Sequence, residues 1–123
     1  VILSWQDATD MDMHPGHNVV IHEFAHKIDM LYEGANGCPE LHANMSAYTW
    51  HEVFSSAYVK FCRQVEQRHE TIIDPYAAES PAEFFAVLSE VFFELPLITQ
   101  QHFPSVYEQL ALFYRQDPAQ RWR

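Results

Sequence analysis

Positive charge is scarce in this chain: seven Lys plus Arg stand against 17 Asp plus Glu, giving a formal net charge of −10. Such a balance argues against a nucleic-acid or anionic-membrane surface, which would repel it, and suits a basic or neutral partner. Cysteine is nearly absent. Cys38 and Cys62 allow one bridge at most and lack the dense spacing of a secreted disulfide scaffold, so both read as free thiols. No apolar run approaches the roughly 18 residues that a membrane span requires, and no signal-peptide pattern opens the chain. A soluble cytoplasmic protein is the expectation. An initial Met is missing as well, so the sequence reads as a fragment whose upstream region is not seen.

What is present belongs to a globular protein: 48% hydrophobic and 15% aromatic residues against 20% charged. A chain of 123 residues fits one domain, 1–123, able to bury about two thirds of the surface its unfolded form exposes. The run Val1-Ile2-Leu3-Ser4-Trp5 favours a strand, and Asp7 to Gly16 supplies loop residues. From His17 to about Tyr32 no breaker occurs, and Ile21, Phe24, Ile28 and Leu31 recur at helical spacing. Trp50, Val53, Phe54, Ala57, Tyr58, Phe61, Cys62 and Val65 trace a second helix with one apolar stripe. Ser80-Pro81-Ala82-Glu83 combines an N-cap residue, Pro at the first position and Glu at the third, opening a third helix that runs to about Glu94. Leu95-Pro96 stops it, and Val106 to Tyr114 predicts a last helix before Asp117-Pro118. The expected class is α+β, mostly helical.

The first helix carries His22-Glu23-Phe24-Ala25-His26. Two histidines four residues apart project about 40° from one another on one helical face and can share a zinc ion, which takes neutral imidazole nitrogen. Glu23 lies about 100° further round, where its carboxylate can reach a metal-activated water without occupying a coordination position. It is the candidate general base, taking a proton as the water attacks a peptide carbonyl. With 8 His and 11 Glu in the chain, chance supplies about 0.05 such motifs, and apolar neighbours on both sides make unpaired imidazoles costly there. Asp29, on the same face, reads either as a support for a ligand imidazole or as a surface carboxylate.

A catalytic zinc site needs a third protein ligand and an open position. Metzincins place Gly three and His or Asp six residues after the second His, where this chain has Asp29 and Tyr32, so that class is excluded. The third ligand is expected from the third helix, where Glu79, Glu83, Glu90 and Glu94 fall within about 60° of one another. The competing reading of that stripe is a solvated acidic face, and of Glu83 a capping box with Ser80. Helical pattern alone leaves Glu83 and Glu90 both open.

The segment from His17 to Asp29 resembles the zinc site of the Mlc titration factor A peptidases, and Asp74 to Glu90 resembles that family's second signature. Val1 to Asp7 and Phe103 to Arg121 are similar too. These are zincins of the gluzincin type, distantly similar to the anthrax lethal-factor protease, which has a Tyr seven residues before its Glu ligand. Tyr76 and Glu83 reproduce that spacing. The resemblance implies a zincin-like metallopeptidase catalytic domain in which His22, His26 and Glu83 bind one Zn2+, Glu23 acts as base and Tyr76 hydrogen-bonds the oxyanion. It also implies a cytoplasmic bacterial protein with aminopeptidase-like activity on a peptide or protein substrate, binding to the repressor Mlc, and a longer N-terminal region in family members. The loop from Glu33 to Ala47 departs from the family pattern.

Two other readings compete. In one, zinc is structural, a fourth ligand such as His17 or Glu90 fills the open position, and the acidic surface sequesters a repressor. In the other no metal binds, both histidines are satisfied core residues and Glu83 is a cap. His14, His42, His51, His69 and His102 are assigned to surface or packing.

Overall fold

The computed structural model describes residues 18–31 and 36–122. It is mostly helical, and no strand occurs among the described residues. The strand expected over Val1 to Trp5, and with it the β part of the expected class, lies outside them.

Among the described residues five α-helices follow in order: α1 Val19–Met30, α2 Ala47–Glu66, α3 Pro81–Glu94, α4 Pro96–His102 and α5 Pro104–Tyr114. Two short 3-10 helices, Pro75–Ala78 and Pro118–Trp122, complete the set. α2 begins three residues before Trp50 because the Ser46 hydroxyl caps it, accepting from the Thr49 amide at 3.1 Å. α4 was not legible as a helix. Pro96 reads as a stop for α3, yet it stands at the start of α4, just as Pro104 opens α5. A proline lacks the N–H that a first-turn residue would leave unpaired, so one residue ends a helix and begins the next.

α3 is the centre of the molecule. Its residues from Phe84 to Phe92 are all buried, so no single stripe describes it. Its polar members are matched: the Ser89 hydroxyl meets that of Tyr114 at 2.9 Å, and Glu90 faces α1. Along α2, Trp50, Phe54 and Phe61 are buried against this centre, with the Trp50 ring stacked on Phe54 at 4.3 Å between centroids. α1 packs on α3 through its histidine-bearing face, leaving Val20, Phe24, Met30 and Leu31 exposed.

Cys38 is buried and Cys62 half-buried, and no disulfide joins them. His42 is a packing residue, stacked on Phe113 and donating from Nε2 to the Phe113 carbonyl at 2.7 Å. His51, His69 and His102 are exposed.

Candidate metal centre

Asn18 starts α1 by turning its side-chain oxygen to the Ile21 amide at 3.1 Å. The helix so begun presents His22 and His26 to α3, with ring centroids 4.9 Å apart. Opposite them, Ser80 caps α3 by accepting from the Glu83 amide at 3.1 Å. The capping box is half used, because the Glu83 carboxylate turns to the histidines. Its Oε1 lies 2.9 Å from Nε2 of both His22 and His26.

The three donor atoms all lie within 4.8 Å of one another. A tetrahedral zinc with bonds of about 2.0–2.1 Å sets its ligand atoms about 3.4 Å apart, so a small outward movement of each donor makes room for an ion. Two imidazole nitrogens and one carboxylate oxygen also match the donor chemistry of a catalytic rather than a closed site.

Tyr76 joins from the first 3-10 helix, its hydroxyl donating to Glu83 Oε2 at 3.2 Å. Asp74 starts that turn by accepting from the Tyr76 amide at 2.9 Å, and Tyr58 on α2 clamps its far end through a 2.8 Å bond to the Ala78 carbonyl. Tyr76 itself is 49% exposed, at the open side of the cluster. Glu23 is half-buried on the adjoining face of α1 and has no hydrogen bond or ion pair among the described residues.

The electrostatics follow from this crowding. Burial alone would pull the His22 imidazole down, but the hydrogen bond and charge of Glu90, then those of Glu83, outweigh it and hold the pKa above its usual value. Burial likewise pushes Glu83 up, but His26 and then His22 bring it below the ordinary carboxylate range. The charge of Glu83, and then its hydrogen bond, raise the Tyr76 phenol.

Glu90, open as a third ligand on helical pattern, meets the other edge of His22: its Oε1 bonds Nδ1, while Oε2 accepts from the Asn18 amide at 2.8 Å. The Asn18 side chain in turn donates to Glu94 at 2.7 Å. Neither Asn18 nor this use of Glu90 and Glu94 was foreseen. The signal was there, since Glu83 and Glu90 are two turns apart on one face, but spacing cannot say which edge of an imidazole each will meet.

Asp29 corrects a sequence reading: it is not a surface carboxylate but fully buried. Its Oδ2 accepts from the Gly37 amide at 2.7 Å. Desolvation raises its pKa, partly offset by the Gly37 hydrogen bond. Among the described residues it touches neither imidazole through a hydrogen bond. His17, the suggested fourth ligand, lies outside the described residues.

An HExxH helix whose imidazoles converge on a glutamate from a second helix has the donor set of a metallopeptidase. Residues 1–115 match the model of the family described as glucose-regulated metallo-peptidase M90, and the chain belongs to that family. It is 41% identical over 124 residues to the Mlc titration factor A of Edwardsiella ictaluri, covering 98% of this chain and 47% of that protein. The Yersinia pestis (strain Pestoides F) protein of that name is 40% identical over 124 residues, covering 98% and 46%. An uncharacterized protein of Synechocystis sp. is 40% identical over 114 residues, covering 93% and 38%. The chain thus spans less than half the length of these relatives. No helix among the described residues is long and apolar enough to cross a membrane.

Proposed function

We propose that this chain is the catalytic part of a zinc-dependent peptidase. The observation that carries the reading is the convergence of His22 Nε2, His26 Nε2, Glu83 Oε1 and the Tyr76 hydroxyl on one small volume. His22, His26 and Glu83 would hold a zinc ion, which when bound would supply Lewis acidity and bring the pKa of water toward about 7. Glu23, half-buried beside the ligands and without a hydrogen bond or ion pair among the described residues, takes the proton from the attacking water and returns it to the leaving amine. Tyr76, freed from Glu83 by substrate, donates to the oxygen on which negative charge develops. Aminopeptidase-like cleavage, a cytoplasmic location and a single α+β domain over 1–123 complete the proposal, supported by the family resemblance and the composition.

The test measures bound zinc and peptide turnover together. Glu23→Gln should keep one zinc per chain and lose about 10²- to 10⁴-fold in kcat, the usual contribution of a general base. Glu83→Ala should lose the metal. Wild-type turnover in Glu23→Gln, or stoichiometric zinc in Glu83→Ala, would remove those roles.

A second reading is favoured by the relatives' names, which speak of titrating Mlc: the acidic surface binds a repressor and hydrolysis is incidental. If Glu23→Gln abolished turnover yet left repressor binding intact, both activities would reside in one molecule at separable sites. A chain that bound the repressor and never turned over peptide would leave only the second.

A further inference from the structure

We infer that Glu90 is a positioning residue for the metal centre: held from behind by Asn18, it fixes the tautomer and ring orientation of His22. The inference rests on the proposed zinc site but assigns a role to residues that the proposed chemistry does not use. Glu90 is 4% exposed and sits near the middle of the most buried helix. A carboxylate there is costly unless its oxygens are matched, and both are: Oε1 accepts from His22 Nδ1 and Oε2 from the Asn18 amide at 2.8 Å.

A neutral imidazole that donates from Nδ1 has its lone pair at Nε2, the atom that faces Glu83 and His26 and would meet a bound cation. Glu90 therefore selects the tautomer that can bind a cation through Nε2. The donating amide belongs to the residue that caps α1, so the same carboxylate also sets the start of the helix bearing both histidines. Asn18 Nδ2 adds a tether to Glu94, one turn beyond Glu90 on α3. Register between the two helices and orientation of the ligand are thus fixed by one network, whereas Glu83 alone could be approached by His22 in several ring orientations.

Glutamine at this position keeps the size of the side chain but has one acceptor oxygen for two donors. Its NH2 group must face either the Asn18 amide or His22 Nδ1. Removal of such an outer partner typically weakens metal binding by about 10–100-fold. Glu90→Gln should therefore still take up one zinc, with a Kd raised by that factor in competition with a chromophoric chelator. Its cobalt(II) visible spectrum should keep the band pattern of the wild type, since the coordinating atoms are unchanged.

A second measurement needs no variant. In 15N-histidine-labelled, zinc-loaded wild type, His22 should carry its proton on Nδ1, in slow exchange with water. A proton on Nε2 would overturn the inference. So would an unchanged Kd in Glu90→Gln, which would make Glu90 a folding residue only, or a changed cobalt coordination number, which would make it a ligand. Wild type that binds zinc and hydrolyses peptide while failing these tests would leave the peptidase reading standing. Wild type that binds no zinc would end both.

Discussion

At the scale of the residue, Glu83 is asked to face three partners with two oxygens, and the division is informative. Oε1 is shared by both imidazoles while Oε2 takes the Tyr76 proton, so Tyr76 is poised at the rim of the site rather than within it. Tyr76→Phe should remove only the hydroxyl's contribution: kcat falls by about 10²-fold, as for loss of one oxyanion donor, with KM and zinc content nearly unchanged. Steady-state kinetics beside metal analysis would show whether the loss sits in kcat. His22 supplies a pH prediction. Its folded pKa is raised above 6.5 in the metal-free protein, so the stability it contributes there is fully present below about 6.5, the unfolded value, and lost as pH rises through the folded value. Zinc needs the neutral ring, so the same proton opposes binding. Zinc affinity should therefore begin to fall with decreasing pH above the ordinary imidazole range, and calorimetry in buffers of different ionisation enthalpy should record proton release at pH 7.

At the scale of the element, the site depends on how one turn lies between two helices. Gly37 adopts φ +82°, and a Cβ on it would meet the Pro81 carbonyl oxygen at 2.6 Å. Its amide goes to Asp29 at the end of α1, its carbonyl accepts from Trp50 Nε1 at 3.0 Å, and Pro81 lies two residues before Glu83. Gly37→Ala should thus cost at least about 2 kcal/mol in chemical denaturation, through left-handed backbone strain and a backbone clash. Asp29→Ala should cost about 1–3 kcal/mol by leaving a buried amide unpaired. Neither effect was legible in the sequence, because Asp29 is buried by residues that return from beyond the end of its own helix. By contrast α1, α2 and α3 could be read directly, since apolar periodicity, Ser80 and Pro81 act within a few residues of one another. The site divides by the same rule: i, i+4 spacing puts the two histidines on one face, helical pattern alone left Glu83 and Glu90 open until the family resemblance singled out Glu83, and only the packing of α1 on α3 sets Glu83 at Nε2 of both histidines and Glu90 at Nδ1 of His22.

At the scale of the whole molecule, α1 is held on one side. Its histidine face lies on α3 while Val20, Phe24, Met30 and Leu31 remain exposed, and the pairs of His22 and His26 with Glu83 and of His22 with Glu90 join the two helices. Without an ion, one carboxylate must satisfy two imidazoles that prefer a shared cation. With an ion, the same three groups become a crosslink between sequence positions 22 and 83, and binding free energy becomes folding free energy. At a free zinc concentration 1,000 times Kd the stabilisation is about 4.1 kcal/mol, which for an entropy of roughly 2.1 cal/mol/K per residue over a chain of this size corresponds to a Tm rise of about 15 °C. Circular dichroism melts with zinc and with a chelator should show that difference in the wild type and lose it in Glu83→Ala. Glu23→Gln should keep it, because the proposed base would contribute to turnover and not to holding the ion. A shift of equal size in wild type and Glu83→Ala would mean that zinc stabilises the fold from somewhere other than this cluster, and the crosslink between α1 and α3 would have to be abandoned.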